Sequence, residues 1–251
     1  MPGTAVIDWT FEPPNAFEEK TSLVAAHYVF QIDDGRAQCT VAVDGVSAMS
    51  ALRNEAHQRL DSIFLAATAL SHQPYKLNAP VLHVIGEDGQ KHFYAFPEAL
   101  RFGFRTGILD TVLEDVGGGL ISDSKRTRIN LRNELAATSA AQVADPIVNS
   151  ILRSYSAAVN DPANELVHLY EIRDALSTHF GGEWQAKQTL NISSTAWSRF
   201  GRLGNDEPLR QGRHRGQNPG QLRDAADEEL GEARAIARQM IERYLRHLNS
   251  P

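Results

Sequence analysis

The chain has 251 residues, of which 42% are apolar and 22% charged, and its formal net charge at pH 7 is −6. This is the composition of a globular protein with room for one large or two ordinary domains, and the negative charge excludes general binding of polyanions over the whole surface. The longest apolar run, residues 63–70, is too short to span a bilayer, so we expect no membrane segment. The only cysteine, Cys39, cannot form an internal disulfide, and the first residues lack the basic and apolar pattern of a signal peptide. We therefore expect a cytoplasmic protein.

The first part of the chain alternates strand and turn patterns. Residues 6–11, 23–32 and 36–43 are three β-prone runs, and small apolar side chains alternate along the third. The dipeptide Asp34-Gly35 separates the last two runs, and this pair between strands is typical of a tight hairpin turn. The pattern predicts three strands, of which the last two form a hairpin.

A helix and further strands follow. Apolar residues recur at helical spacing over residues 50–73, and Pro74 ends this predicted helix. Residues 81–85 and 92–96 then repeat the strand pattern around a second turn, and residues 100–105 form a candidate edge strand. This order of elements predicts an antiparallel sheet with one helix on its face.

A run of three glycines, Gly117 to Gly119, marks the predicted domain boundary, because glycine weakens both helices and strands. After it the strand patterns stop. The sequence therefore predicts an α+β fold, with an α+β domain over residues 1–116 and an all-helical domain over residues 121–251.

The helical half carries clear start and stop signals. Asp145 and Asp161 each precede a proline, the arrangement expected at a capped helix start, and Gly181-Gly182 is a stop signal. A further helix is predicted over residues 195–203. The last helix, over residues 222–248, would be roughly 40 Å long, and its apolar stripe predicts leftover surface that a symmetric homodimer would bury.

The most unusual stretch is an arginine cluster just before the last helix. Arginine can bind phosphate through paired donors, and a histidine can transfer protons near neutral pH. The residues that form this candidate phosphate site are Arg199, Arg202, Arg210, Arg213, His214 and Arg215. The alternative interpretation is a solvated loop held by salt bridges.

Other motifs are weaker. Glu165 and His168 form a single Glu-x-x-His pair, whereas di-iron bundles use two such pairs, so a metal-dependent bundle enzyme is only a third hypothesis. Cys39 lies in a predicted strand, so we interpret it as a buried structural residue. Trp184 and Trp197 could stack on bases, although packing in a helical core is the simpler role. No cofactor or metal is predicted.

Residues 161–248 resemble the HEPN domains of prokaryotic defence and toxin proteins. These domains are short, usually dimeric helical bundles in which an arginine, a following polar residue and a histidine precede the final long helix. Arg210, Gln211 and His214 occupy the corresponding place, with only three residues between the arginine and the histidine. The resemblance implies a metal-independent ribonuclease site across a dimer, with Arg210 and His214 catalytic, although some members of the family bind RNA or partners without cleaving.

The sequence thus predicts an HEPN-like protein that binds RNA or another protein, with a defence-type or toxin-type ribonuclease as its catalytic form. If the protein is HEPN-like, the remaining arginines of the cluster are expected to bind phosphate: Arg199, Arg202, Arg213 and Arg215. The alternative is a non-enzymatic interaction or assembly protein with a dimerising helical domain.

Overall fold

The computed structural model describes residues 2–44, 49–86, 91–94, 112–114, 120–213, 215–217 and 220–249. The chain forms two compact units. The first comprises Met1–Ala67 with Tyr75–Ala141, and the second comprises Thr68–Pro74 with Gln142–Pro251. The first unit contains an antiparallel sheet and the second is helical, which confirms the predicted α+β class.

The described strands of the first unit are β1 (Pro2–Glu12), β2 (Thr21–Ala25), β3 (Tyr28–Asp33), β4 (Arg36–Asp44), β5 (Lys76–Leu77), β6 (Val81–Gly86), β7 (Lys91–Tyr94), β8 (Val112–Glu114) and β9 (Leu120–Asp123). They form an antiparallel sheet in the order β2-β3-β4-β1-β6-β7, with β5 paired to the end of β1. A separate pair is formed by β8 and β9.

The hairpin predicted at Asp34-Gly35 is confirmed, because both residues have positive φ (36° and 77°) and join β3 to β4. The single strand predicted over residues 23–32 is wrong. Ala26 adopts a φ of 56° and turns the chain, so this run forms two paired strands, β2 and β3. The second predicted turn, the edge strand at 100–105 and the glycine triplet lie outside the described residues.

Two helices contribute to the first unit. Helix α1 (Met49–Ser71) confirms the helix predicted before Pro74, and its last residues, from Thr68, belong to the second unit. Helix α2 (Ser124–Ala141) has no counterpart in the sequence prediction. Its small residues Ala136 and Ala140 belong to the same apolar core as the sheet. Apart from Thr68–Pro74, the second unit begins at Gln142, directly after α2.

The second unit contains α3 (Pro146–Asn160), α4 (Glu165–His179), α5 (Glu183–Thr189), α6 (Ser194–Gly201) and α7 (Asp227–Leu248). A 3-10 turn (Pro162–Asn164) precedes α4, and a π-helical segment (Arg202–Asp206) follows α6. The end of α4 at Gly181, with a φ of 75°, agrees with the predicted stop signal.

The two predicted Asp-Pro caps have different outcomes. Asp145 is confirmed, because its Oδ1 accepts hydrogen bonds from the amides of Ile147 (2.7 Å) and Val148 (3.0 Å). Asp161 is the N-cap of the 3-10 turn that begins at Pro162, as predicted, but its side chain makes no capping hydrogen bond. Its carboxylate instead accepts from the side chain of Asn164 and faces His168.

Helix α7 begins at Asp227, later than predicted, and its apolar stripe is packed within the chain. The buried residues of this stripe are Ala233, Ile236, Ala237, Met240, Ile241, Tyr244 and Leu245. The leftover apolar surface from which we predicted a homodimer is therefore not found on the described part of α7. None of the described helices has the length and apolar content needed to cross a membrane.

Candidate functional site

The segment between α6 and α7, residues 207–226, is named here the arginine loop. It is folded back on itself by backbone hydrogen bonds. The amide of Arg210 donates to the carbonyl of Arg223 (2.9 Å), and the amide of Arg223 donates to the carbonyl of Pro208 (3.0 Å). The side chain of Gln211 accepts from the amide of Ala225 (3.0 Å). The described part of the loop is therefore ordered by local contacts and not only by its charges.

The arginine loop also lies on the N-terminal half of α4. The amide of Val167, one of the first amides of the helix and thus without a partner inside it, donates to the carbonyl of Gln211 (3.2 Å). Just before the loop, the backbone at Gly204 approaches Tyr170 so closely that a Cβ on Gly204 would be 2.6 Å from the ring. The amide of Arg213 donates to the carbonyl of Gly204 (2.9 Å), which ties the two segments together.

Two of the predicted phosphate-binding arginines hold the loop, one on α4 and the other on the 3-10 turn that precedes it. Arg213 forms an ion pair with Asp174 (Nη1 to Oδ2, 2.7 Å), and its guanidinium lies over the ring of Tyr170. Arg215 donates to the side chain of Asn164 and, at 3.0 Å, to the carbonyl of Gly212. These contacts give both arginines a positioning role. His214, between them in the sequence, lies outside the described residues.

Arg199 is also engaged within the protein. Its guanidinium contacts Glu207 (2.6 Å) and Glu232 (2.8 Å), and these hydrogen bonds, first that of Glu232, raise its pKa. The alternative interpretation, a loop held by salt bridges, therefore describes Arg199 and Arg213, whereas Arg215 is held by hydrogen bonds to uncharged groups.

Arg202 and Arg210 differ from the other predicted arginines because they are exposed. The side chain of Arg210 is 63% exposed, and its Nε lies 3.9 Å from Asp224, which is itself 73% exposed. Arg202 forms no ion pair with another described residue. An exposed ion pair of this kind contributes only about 0–1 kcal/mol, so a phosphate can displace it at little cost.

A second polar group, which we call the Asp161 cluster, lies beside the loop at the start of α4. Asn164 donates to Oδ2 of Asp161 (2.7 Å), and Nε2 of His168 lies 3.2 Å from the same oxygen. These two contacts, first that of Asn164, hold the pKa of Asp161 below its usual range. The other ring nitrogen of His168 faces Glu171 at 3.9 Å. Since Arg215 binds Asn164, the loop and this cluster share a hydrogen-bonded network.

The Asp161 cluster was not predicted from the sequence, because the Glu-x-x-His spacing pairs His168 with Glu165 instead. The spacing of Asp161, Asn164 and His168, three and then four residues, was the available signal, since it brings side chains to one side of a helix. In the structure Glu165 is almost fully buried, with both carboxylate oxygens bound by Arg234 at 2.6 and 2.8 Å. Within the described ranges, no group of three or more His, Cys, Asp or Glu side chains is arranged to hold a metal ion.

Another titratable residue lies near Glu165. His72 has a φ of 51° and places Nε2 3.8 Å from Glu165 and Nδ1 3.4 Å from the hydroxyl of Tyr155. Burial, followed by the charge of Arg234, lowers the pKa of His72. Burial also raises the pKa of Tyr155 to about 12, so both residues are neutral at pH 7.

Three further residues considered in the sequence analysis, Trp197, Trp184 and Cys39, differ in their burial. Trp197 is fully buried, as expected for a core residue, whereas the predicted core role of Trp184 is wrong because this side chain is 67% exposed on α5. Cys39 is fully buried in β4, and burial raises its pKa to about 12, so it is a poor nucleophile at neutral pH.

Comparisons with known proteins give no match: no protein-family model, no curated protein and no solved structure is significantly similar to this chain.

Proposed function

We propose that the helical unit is an HEPN-like unit that binds single-stranded RNA at the arginine loop, with metal-independent ribonuclease as its catalytic form. The observation that carries the proposal is that some arginines are bound within the protein whereas others are exposed to solvent. Arg213 fixes the loop on α4 and Arg215 fixes it on the 3-10 turn before α4, whereas Arg202 and Arg210 are exposed to solvent.

Phosphate is the ligand that suits this arrangement. Exposed guanidinium groups offer planar paired donors to phosphate oxygens and stay charged at every physiological pH. Arg210 has only a distant, solvent-exposed carboxylate as its partner. Because the net charge of the protein is negative, binding would be confined to this loop and would not extend over the whole surface.

His214 is the proton-transfer residue of the proposal. Histidine is the side chain whose ordinary pKa lies near neutral, and the sequence places this one between two anchored arginines. A general acid or base in this position is expected to contribute about 10²–10⁴-fold to the cleavage rate.

The experiment measures binding and cleavage of a labelled single-stranded RNA in EDTA at several salt concentrations. We expect Arg210→Gln to weaken binding and to reduce the slope of log affinity against log salt by about 0.7, the value for one lost phosphate contact. Arg36→Gln is the matched control, because Arg36 is an exposed arginine of the first unit. His214→Ala should still bind RNA but lose cleavage. Absence of salt-dependent binding by the unmodified protein would refute the proposal.

The alternative, a non-enzymatic interaction or assembly protein, is favoured by one observation. Trp184 exposes 67% of its surface, and exposed tryptophan is enriched in the centres of protein interfaces. In that case the protein should bind a partner protein, or itself in a homodimer, and Trp184→Ser should weaken the association without changing the fold. Sedimentation of both forms at micromolar concentration tests the self-association.

A further inference from the structure

We propose that Arg234, Arg238 and His72 form a second anion site on the helical unit, which binds the terminal phosphate of a small molecule. All three residues belong to the second unit, because the segment Thr68–Pro74 is part of it. The site contains no residue of the arginine loop. The inference therefore goes beyond the proposed function and does not depend on it.

The two arginines supply the donors of the site. Arg234 and Arg238 are one turn apart on α7, so they lie on the same face of the helix. Nε and Nη2 of Arg234 bind the carboxylate of Glu165, and Nη1 of Arg238 donates to the carbonyl of Leu70 at 3.2 Å. The remaining nitrogens, Nη1 of Arg234 and both Nε and Nη2 of Arg238, donate to no described residue and are not fully buried. Each half-buried guanidinium is therefore held in place and keeps donors for a ligand.

His72 lies beside these arginines at the end of α1. Its amide donates to the carbonyl of Thr68 (2.9 Å) with a φ of 51°, a helix end at which glycine is the usual residue. The ring places Nε2 3.8 Å from Glu165 and Nδ1 3.4 Å from the hydroxyl of Tyr155. The side chain keeps 26% of its surface exposed, so the imidazole can contact a bound anion.

The charged groups that face His72 come from α4 and α7. Burial, followed by the charge of Arg234, lowers the pKa of His72. Arg238 adds to this effect, whereas Glu165 opposes it. Tyr155 of α3 stays neutral, because burial raises its pKa to about 12. With a neutral imidazole, two guanidinium charges therefore face one carboxylate, which leaves an excess of one positive charge.

A phosphate monoester matches this excess. It carries a charge of about −1.5 to −2 at pH 7 and three strong acceptor oxygens, enough for two guanidinium groups and one imidazole. Its charge favours the protonated form of His72, so the site takes up a proton and gains a second positive charge. A carboxylate or a phosphodiester brings one negative charge and gains less from that proton. Asp227 also attracts Arg234, but it is exposed and forms no ion pair with it, so it leaves the site to a ligand.

The first experiment is calorimetric titration of the unmodified protein with inorganic phosphate at pH 7. We expect saturable binding, with acetate and dimethyl phosphate weaker by about tenfold or more. Arg238→Gln should weaken phosphate binding about 10–100-fold, the effect of losing a charge-assisted hydrogen bond. Arg246→Gln, which changes an exposed arginine of α7, is the matched control. Arg210→Gln should bind phosphate normally, because the arginine loop is not part of this site.

The second experiment measures the proton uptake. Sulfate stays doubly charged between pH 5.5 and pH 8, so its affinity should rise as the pH falls, by up to about tenfold per pH unit. His72→Asn keeps the positive φ and removes the titrating group, so its sulfate affinity should not depend on pH. Nuclear magnetic resonance of the imidazole carbons, assigned with this variant, should show that sulfate raises the pKa of His72.

The possible contrary results are distinct from those of the RNA experiment. The inference is overturned by the absence of saturable phosphate binding at millimolar concentration, or by equal phosphate affinity of folded Arg238→Gln and unmodified protein. A pKa of His72 that does not respond to sulfate overturns it even where Arg238→Gln fails to fold. Acetate binding as tight as that of phosphate would refute the assignment to a phosphate group.

Discussion

Glu165 and Arg234 form a two-point ion pair that joins the first turn of α4 to α7, with distances of 2.6 and 2.8 Å from the guanidinium nitrogens to the two carboxylate oxygens. The carboxylate is almost fully buried, whereas the arginine side chain keeps 29% of its surface exposed. The pair therefore fixes the start of α4, the same turn on which the arginine loop and the Asp161 cluster are assembled.

Arg234→Ala should destabilise the protein strongly. The change leaves the carboxylate of Glu165 buried without its partner, and loss of one member of a buried pair costs about 3–5 kcal/mol, here reduced because the arginine is partly exposed. The double variant Glu165→Leu/Arg234→Leu should recover much of that loss. Urea unfolding gives the free energies, and Glu228→Gln, an exposed acidic residue of α7, is the control. Equal stability of Arg234→Ala and unmodified protein would contradict this assignment.

The local parts of the structure were predictable from the sequence. Asp34-Gly35 and Asp145-Pro146 determine a turn and a cap through contacts with neighbouring residues, so their patterns lead directly to the observed geometry. Helix α2 was missed because its core-facing residues include Ala136 and Ala140, whose small side chains give a weak apolar periodicity.

The candidate site was predicted only in part, because its geometry depends on contacts between distant residues. The arginine loop was found from composition, but its attachment to α4 requires the pairing of Arg213 with Asp174, which no local spacing encodes. The pairing of Glu165 with His168 was wrong for the same reason. Their spacing suggested one shared site, whereas Arg234 and Asp161 bind them separately.

Stability should depend on the protonation of His72 at mildly acidic pH. Burial and the nearby charges of Arg234 and Arg238 lower its pKa in the folded protein from an ordinary value of 6.5, although Glu165 opposes the shift. The unfolded chain therefore binds more protons below that value, so the free energy of unfolding decreases as the pH falls from about 6.5 towards the folded-state pKa.

The test is a series of urea unfolding curves between pH 5 and pH 8 for unmodified protein and His72→Asn. Asparagine tolerates the positive φ of 51° and does not titrate, so the variant should show a smaller loss of stability over this pH range. Identical pH profiles for His72→Asn and unmodified protein would contradict the prediction.

Gly204→Ala should destabilise the helical unit, because the new Cβ would be 2.6 Å from the ring of Tyr170. Overpacking of this kind costs about 1–3 kcal/mol. Gly231→Ala is a suitable comparison, because a Cβ there meets no atom within 4 Å and alanine favours a helix over glycine by up to about 1 kcal/mol. Thermal melts should therefore shift in opposite directions, and a stabilised Gly204→Ala would show that Tyr170 can move away.

Arg213 positions the arginine loop, whereas Arg210 is exposed, so substitutions of the two residues should have different effects. Arg213→Gln removes the ion pair with Asp174 (2.7 Å) and the contact with the ring of Tyr170, so the arginine loop should detach from α4 more often. Hydrogen exchange should then be faster at the amide of Val167, which donates to Gln211 of the loop, and at the amide of Arg213, which donates to Gly204. Arg210→Gln is the matched control. It removes only a 3.9 Å contact between exposed groups, so these two amides should keep their protection.

RNA binding should respond differently to the two substitutions. Arg210→Gln loses one phosphate contact, whereas Arg213→Gln loses affinity because the loop becomes mobile. Unchanged exchange in Arg213→Gln would mean that the backbone hydrogen bonds hold the loop without this side chain.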